Sequence, residues 1–394
     1  MSRQAGDWIN SYLDYTSDTE PRESYRRWCA VSAIASALQR KVFLPWGDME
    51  VFYPNMYIVL VGPPAARKGT AMRPVEAMLA NLGIITAGDE TSRQYLIKIL
   101  EEADQNSTDI DDGIVYNHSS ISIISSELTV FLGMQNVGLL TVLCDLYDCK
   151  SSFKYSTHAH GDQIVTNVWV NLLGATTPTN IQTALPSDAI CSGFTSRTVF
   201  VFEEGKSRIV VKPSLTERQK RLQEALIKDL NAINLMCGPF AHTQEFEDAY
   251  GEWRCNSEEN PPFGEPKLEF YLQRRHVHLL KLSMIYSASR GEDKLVTIQD
   301  FNNARTSLES VEKKMPNVFR GVGANPLNVV QIRLMDMLPR RQRMKLSEIT
   351  EIFCDDVDTR QLSMIIATLE QMRFAKLDLN TGVLHYLRRD KDGN

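Results

Sequence analysis

The stretch YIVLVGPPAARKGTAM, residues Tyr57 to Met72, decides the fold of this chain. It opens with an unbroken hydrophobic run, which is typical of a strand buried on both faces of a sheet. Gly62 and two prolines then end the run, and residues 70–82 have the pattern of a helix. A buried strand that leads through a turn into a helix predicts an α/β fold with a mostly parallel sheet.

The same stretch has the spacing of a phosphate-binding loop, with two departures. Such a loop follows G-x-x-x-x-G-K-[ST], and its backbone N–H groups and helix N-terminus hold phosphate. Arg67 replaces the second glycine, Gly69 replaces the hydroxyl residue, and Thr70 is the candidate hydroxyl on the magnesium side. A purely structural turn is the alternative. The predicted nucleotide contacts are Gly62, Pro63, Pro64, Ala65, Ala66, Arg67, Lys68, Gly69, Thr70 and Ala71.

Apolar strands alternate with helical patterns over residues 45–205. The later predicted strands are GIITAG (83–88), SSISIISSE (119–127), VTNVWVNLLGATTP (165–178) and RTVFVFEE (197–204). The segment QNSTDIDDG (105–113) is predicted to be a polar turn. This alternation predicts parallel strands covered by helices.

Polar residues stand at the ends of two later strands, where P-loop ATPases carry catalytic groups. Glu127 ends the third strand, and an acid there orients the attacking water in such enzymes. Ser126 stands where an Asp usually serves Mg²⁺; it brings no charge but can hold a metal-bound water. Thr176 ends the fourth strand and is the candidate γ-phosphate sensor, with Asn171 as second choice. An acid that merely ends a strand is the alternative for Glu127.

Two arginines have placements that suit contact with transferred phosphate. Arg197 stands just before the fifth strand, which suits an arginine finger acting across a subunit boundary. A surface ion pair is the alternative. Arg275, beside Arg274, opens the helical pattern RRHVHLLKLSMIY, and a lid helix of this form carries an arginine back to the phosphates.

Composition changes after residue 205, where helical patterns replace the alternation. We therefore predict an N-terminal helical segment (1–44), a P-loop ATPase core (45–205), a helical lid (206–319) and a C-terminal domain (327–390). Residues 320–326 are a candidate linker. The last domain has three helical patterns and two short strands joined by Asn380-Thr381-Gly382, which is a winged-helix pattern. Its charges nearly cancel, so duplex binding and protein docking both stay open.

The order of loop, acid, sensor, SR finger, lid arginine and winged helix resembles that of AAA+ ATPases. It is similar to helicase-like, primase-helicase-type ATPases of phages and mobile elements over residues 25–310. There PN precedes the loop strand, as Pro54 and Asn55 do here, and GAT-P and G-x-x-SR recur downstream. A more remote resemblance is to minichromosome maintenance helicases. The resemblance implies ATP and Mg²⁺ as cofactors and a homo-oligomeric ring of six subunits, while Ser126 and Gly69 depart from the wider pattern.

The same resemblance implies a DNA-contacting hairpin in SSFKYSTHAHGDQIVTN, residues 151–167. Lys154, His158 and His160 are candidates for phosphate contact, and Tyr155 is a candidate for stacking on a base. A plain surface hairpin is the alternative. The H-x-H pattern has no evident third ligand for a metal.

Composition limits the classes of function. The net charge is −6, so nucleic acid would have to be bound by locally concentrated basic groups. No apolar run approaches the ~20 residues that span a bilayer, and we expect neither a membrane partner nor a secretory signal. The seven scattered cysteines favour reduced thiols and a cytoplasmic location, that of the host for a phage protein.

Three functions follow from the sequence. The first is an ATP-driven ring translocase or helicase on single-stranded or forked DNA, working with replication proteins. The second is a non-translocating AAA+ switch, such as a helicase loader or replication initiator. The third is a degenerate ATPase that binds nucleotide or acts as a scaffold.

Overall fold

Two compact units make up the chain, Met1–Phe319 and Arg320–Asn394. The computed structural model describes residues 3–89, 91–109, 112–157, 161–185, 193–319, 327–354 and 356–387. The predicted segments 1–44, 45–205 and 206–319 all fall within the first unit. The predicted linker, 320–326, lies outside the described residues. Within the described ranges, no helix has both the length and the apolar character needed to cross a bilayer.

Strands of the first unit belong to one central sheet and several small ones. They are β1 Val42–Trp46, β2 Glu50–Phe52, β3 Tyr57–Val61, β4 Thr86–Ala87, β5 Asp104–Thr108, β6 Val115–Ser125, β7 Ser152–Thr157, β8 Gly161–Thr166, β9 Val168–Thr176, β10 Thr198–Phe202, β11 Gly238–Pro239, β12 Ala241–His242 and β13 Leu295–Val296.

Helices of the first unit flank the strands and fill most of its last third. They are α1 Trp8–Tyr15, α2 Glu23–Leu38, α3 Lys68–Asn81, α4 Arg93–Glu102, α5 Leu128–Leu132, α6 Val137–Tyr147, α7 Pro178–Ala184, α8 Gly193–Ser196, α9 Glu217–Leu235, α10 Gln244–Glu259, α11 Glu269–Arg290 and α12 Ile298–Glu312, with 3-10 turns at Pro266–Leu268 and Met315–Phe319.

The central sheet has the strand order β10-β3-β9-β6-β4 with all neighbours parallel, and β5 pairs antiparallel with β6. The predicted strands therefore lie in the order 5-1-4-3-2, which differs from the dinucleotide-binding order 3-2-1-4-5-6 and from 2-1-3-4-5. All residues of β3 are buried, as expected for a parallel strand with a neighbour on each side. An α/β fold with a mostly parallel sheet is confirmed.

Helix α2 packs directly against the central sheet. It is rich in alanine and serine, is buried over most of its length, and contacts α3, α9, α11 and β9. Small side chains let its backbone approach the sheet closely. There the Asn171 amide of β9 donates to the Ser32 hydroxyl at 3.0 Å and to that of Ser36 at 3.1 Å. These bonds satisfy a polar group that is otherwise costly to bury.

Two sequence predictions were wrong in detail. Residues 105–108 are not a turn but part of β5, whose alternating half-buried and exposed side chains form an antiparallel edge strand. The polar composition of these residues had indicated a turn, but their backbone forms a strand because it pairs with β6. The fourth strand begins at Val168, since Asn167 has φ 49° and separates β9 from β8.

The second unit contains α13 Leu327–Arg341, β14 Arg343–Lys345, α14 Leu346–Phe353, α15 Thr359–Gln371, β15 Ala375–Asp378 and β16 Val383–Tyr386. Its sheet has the order β14-β16-β15, with antiparallel pairs. Leu334, Ile349, Phe353 and Leu369 lie in its own hydrophobic core. Three helices and the closing hairpin were predicted, whereas the short strand β14 was not.

A buried histidine joins α11 to the amino end of the sheet. His278 is fully buried; its Nε2 donates to the Ser196 carbonyl at 3.1 Å, and its Nδ1 lies 3.3 Å from the Tyr147 hydroxyl. A neutral ring satisfies both contacts, with Nδ1 accepting from the tyrosine. Burial lowers the pKa of His278 from its ordinary value to about 3.

Acid should therefore destabilise the fold partly through His278. Because its folded-state pKa is depressed, the stability it contributes is present above pH 6.5 and is lost as pH falls towards 3. At pH 5 the loss is roughly 2 kcal/mol. Urea unfolding at pH 7 and pH 5 should show a smaller drop for His278→Gln than for the native chain. The exposed-site control His385→Gln should keep the native drop, and equal drops in all three would contradict the assignment.

Candidate functional site

The loop between β3 and α3 adopts left-handed backbone at two residues that are not glycine. Ala65 and Arg67 both have φ 66°. Arg67 stands at the position of the motif's second glycine and takes the backbone conformation that glycine favours. Its guanidinium Nε lies 2.5 Å from Glu20 Oε2, which ties the loop to the segment between α1 and α2. The residue at this position therefore differs from the motif in type, but its backbone keeps the conformation that glycine favours.

Gly62, by contrast, is required because the backbone is crowded there. A Cβ at this position would lie 2.3 Å from the Tyr25 hydroxyl and 2.5 Å from the Glu203 carbonyl oxygen. The Tyr25 hydroxyl donates to the Val61 carbonyl at 2.7 Å and thereby holds α2 against the end of β3. Gly69 has open space around it, so nothing in its surroundings demands glycine.

The N-terminus of α3 points its free backbone donors at the loop. Within the part of the chain that the structure describes, no side chain caps this helix, whereas Ser92 caps α4 and Asn136 caps α6. The Lys68 ammonium lies across the loop and donates to the carbonyls of Gly62 at 2.7 Å and Pro63 at 3.1 Å. Burial lowers the pKa of Lys68, and the Glu127 carboxylate offsets part of this effect. Uncapped N–H groups and a poised ammonium suit an anion.

Parallel pairing brings the predicted sensor and acid to the edge of the sheet that carries the loop. Thr176 is in register with Val61, and the Gly62 N–H donates to the Thr176 carbonyl at 3.3 Å. Glu127 follows β6 at the same edge, and its side chain is exposed, as is that of Ser126. Loop, sensor strand and acid therefore meet at the carboxyl ends of neighbouring strands, where α/β sheets bind ligands.

Asn171, the second choice for the sensor, lies inside β9, five residues before Thr176. Its side-chain oxygen accepts from the Met56 N–H at 2.9 Å, and its amide is bonded to α2. The residue is buried in the middle of the sheet. It holds β9 to the start of β3 and is not placed to contact a phosphate.

An acid that the sequence analysis missed lies beside Glu127. Asp89 directly follows β4, the neighbour of β6, and accepts hydrogen bonds from the Ser125 hydroxyl at 2.5 Å and the Ser126 hydroxyl at 3.3 Å. Its Oδ1 also lies 3.3 Å from the Glu127 N–H. A carboxylate at the end of the second predicted strand was visible in the sequence, but only the pairing of β4 with β6 places it here.

The predicted finger arginine lies at the opposite edge of the sheet. Arg197 precedes β10, whose first residue is in register with Tyr57, so it stands about 20 Å along the strands from Gly62. Its guanidinium makes a two-point contact with Asp148, Nε to Oδ1 at 3.1 Å and Nη2 to Oδ2 at 2.6 Å. Arg274 donates to the same carboxylate at 3.2 Å. Arg197 therefore cannot reach a phosphate held by Lys68 of its own chain.

Arg275 is not brought to the loop either. Its guanidinium is buried and donates to both carboxylate oxygens of Glu312, at 2.7 and 2.8 Å. It also stacks on Trp253, with 4.6 Å from Cζ to the ring centroid. These contacts tie α11 to α10 and α12, so the observed role of Arg275 is structural and differs from the predicted phosphate contact.

Strands β7 and β8 form the predicted antiparallel hairpin. The exposed Lys154 ammonium lies 2.6 Å from Asp162 Oδ2, and the Arg93 guanidinium covers the Tyr155 ring at 5.5 Å. The lysine charge is therefore partly neutralised, and one ring face is occupied. His158 and His160 lie outside the described residues.

The side-chain oxygens near the loop suit a cation that is held chiefly by phosphate oxygens. Among the described residues, no three His, Cys, Asp or Glu side chains are grouped to hold a metal ion by themselves. Thr70 stands in the first turn of α3, and Ser126 is exposed at the neighbouring acidic turn. Magnesium usually keeps several waters and takes one or two protein ligands plus substrate phosphates, which this oxygen set can supply.

Two glycine substitutions should separate the required glycine from the replaceable one. Gly62→Ala should lower stability by about 1–3 kcal/mol, because its methyl group would collide with Tyr25 and Glu203. Gly69→Ala, the matched control within the same loop, should be neutral or stabilising by up to about 1 kcal/mol, since it lies inside α3 in open space. Thermal unfolding of both variants checks this, and equal losses would contradict the close approach at Gly62.

No protein-family model matches the chain, and no curated protein matches it in sequence. Its function is therefore inferred from the loop, the strand ends and the order of its motifs.

Proposed function

We propose that this chain is an ATP hydrolase of the AAA+ class that acts as a ring translocase or helicase on DNA in phage or mobile-element replication. One observation carries the proposal: the ammonium of Lys68 lies over the loop at the uncapped N-terminus of α3, facing an exposed acid from β6. The 5-1-4-3-2 strand order puts the loop strand beside the sensor strand. An anion bound here would contact the backbone N–H donors of α3 and the Lys68 ammonium, and it would lie near a carboxylate that can orient water.

The residues divide the chemistry of phosphoryl transfer between them. The loop N–H groups and the N-terminus of α3 bind the phosphates, and Lys68 leaves the carbonyls of Gly62 and Pro63 for the β- and γ-phosphate oxygens. Glu127 orients the attacking water. The Thr70 hydroxyl would be the protein ligand of Mg²⁺ and Ser126 would hold one of its waters; the ion would supply positive charge against the charge that develops on the phosphate.

Arg197 supports the proposal of a ring. It lies at the sheet edge opposite the loop and so completes a site only in a neighbouring copy. Asp148 holds Arg197 and Arg274 together, leaving the three groups with one net positive charge. Burial alone would raise the pKa of Asp148, but its bonds to Arg197 and the charges of both arginines hold the pKa below its ordinary value. Arg197 is largely buried and its Nη1 also donates to the Gly193 carbonyl at 3.0 Å, so to reach the transferred phosphoryl of an adjacent subunit the guanidinium would have to leave Asp148 and Gly193.

The DNA part of the proposal rests on the resemblance, the hairpin and the second unit. The hairpin of β7 and β8 lies between α6 and β9, where related ring helicases contact DNA. In the second unit, the helix and strand order of α13 to β16 supports the winged-helix assignment. Basic residues at 340–345 lie at the end of α13 and in β14, where they can meet phosphate.

A specific observation favours the second candidate, a non-translocating switch. Lys154 is paired with Asp162, and Tyr155 is covered by Arg93, so the hairpin offers fewer free DNA-binding groups than its sequence suggests. The candidates differ in one measurement. A translocase increases its ATP turnover when single-stranded DNA is added and separates strands, whereas a loader or initiator switch does not separate strands. A degenerate scaffold binds ATP and turns over negligibly.

Two substitutions test the ATP site. Lys68→Ala should abolish turnover and weaken nucleotide binding, because the phosphates lose their ammonium. Glu127→Gln should retain binding but lower kcat by about a hundredfold or more, because the amide cannot act as a base towards water. ATPase rates and fluorescent-nucleotide affinity measure both effects. The exposed Lys98→Ala variant is the control, and native turnover in Lys68→Ala would refute the loop assignment.

A mixing experiment tests the placement of Arg197. Chains with Arg197→Lys, which keeps the charge but loses the fork, should be inactive alone, as should Lys68→Ala chains. Mixed before assembly, they should recover part of the activity, because some interfaces pair an intact loop with an intact arginine. Native mass spectrometry verifies mixed assemblies. Verified mixed rings without recovery would argue against action between subunits, and the exposed Arg208→Lys variant is the matched control.

A further inference from the structure

The acidic turn after β6 is held by a carboxylate from the neighbouring strand. β4 pairs in parallel with β6, Thr86 with Ser122 and Ala87 with Ile123, so the chain leaving β4 runs beside the chain leaving β6. Asp89 there accepts from the hydroxyls of Ser125 and Ser126, and its Oδ1 faces the Glu127 N–H. Three consecutive residues of the turn are therefore bonded to one side chain.

These bonds determine what Ser126 offers to the site. A serine hydroxyl has one proton and two lone pairs. Because the Ser126 proton is directed to Asp89 Oδ2, only acceptor lone pairs remain on its exposed side. Such an oxygen can accept a hydrogen bond from a water bound to a cation. Without Asp89, the hydroxyl would be free to turn its proton towards the site.

The same carboxylate brings the charge that Ser126 lacks. Asp89 is half-buried beside the exposed turn and lies close enough to Glu76 of α3 to act on its ionisation. Burial raises the pKa of Glu76, Arg73 lowers it, and Asp89 raises it further. Asp89 therefore projects its negative charge towards both the loop helix and the acidic turn.

We propose that Asp89 is a positioning residue of the ATP site, which supplies from β4 the negative charge missing at position 126 and fixes the turn that carries Glu127. This inference rests on the proposed ATP hydrolysis. Asp89 acts through Ser126 and Glu127 and makes no contact with nucleotide itself. Ser126 and Glu127, through which it acts, are exposed, whereas the Ser125 hydroxyl that it also accepts from is buried.

The test combines removal of the charge with its return at the neighbouring position. Asp89→Asn should keep nucleotide affinity without Mg²⁺, because the loop and Lys68 are untouched. It should raise the Mg²⁺ concentration for half-maximal turnover and lower kcat, each by about tenfold to a hundredfold, as expected for loss of a charged hydrogen-bond partner. The double variant Asp89→Asn/Ser126→Asp should recover much of both. Glu102→Gln, an exposed acid of α4 paired with Lys98, is the control.

Binding supplies a measurement independent of turnover. Affinity for a fluorescent ATP analogue should increase with Mg²⁺ in the native chain, and the increase should shrink in Asp89→Asn and return in the double variant. Native Mg²⁺ dependence in Asp89→Asn would overturn the inference. A loss of activity that the double variant does not restore would also overturn it, because it would indicate a general structural role. A native chain that hydrolyses no ATP would instead refute the proposed function, and this inference with it.

Discussion

The site depends on the close packing of the end of β3 against helix α2 and against the chain that follows β10. β3 lies between β9 and β10, and Tyr25 of α2 donates to its last carbonyl. Gly62 leaves no room for a side chain at that point, so the backbone turns sharply into the loop. The turn aims the N-terminus of α3 across the carboxyl edge of the sheet, where Thr176 and Glu127 end their strands. Looser packing at Gly62 would change the direction in which the loop and helix α3 leave the sheet.

Charge is divided between the two edges of the central sheet. The carboxyl edge holds Lys68 with the acids Glu127 and Asp89, whereas the amino edge holds Arg197 and Arg274 on Asp148. Strand length keeps the two sets about 20 Å apart within one chain. Under the proposed function, a complete set for phosphoryl transfer would therefore need two copies of the chain. The ion pairs at the amino edge keep the two guanidinium groups ordered within the chain.

Departures from the phosphate-loop pattern are offset by neighbouring groups. Arg67 takes the left-handed conformation of the absent glycine, and Glu20 holds its side chain. Ser126 carries no charge, and its hydroxyl donates to the Asp89 carboxylate, which follows the neighbouring strand β4. In both cases the residue that departs from the motif is bonded to an acid from a segment distant in sequence.

The sequence by itself determined the alternation of strands and helices, the loop after β3, and the positions of Glu127 and Thr176 at strand ends, because these features follow from local hydrophobic patterns and glycine placement. It also predicted the hairpin of β7 and β8 and the helices of the second unit. Only the tertiary structure decided the strand order, the strand at 105–108, the pairing of Arg275 with Glu312 and the contact of Asp89 with the acidic turn. The physical reason is that hydrogen bonds and ion pairs between distant segments depend on which strands become neighbours, and local pattern carries no information about that choice.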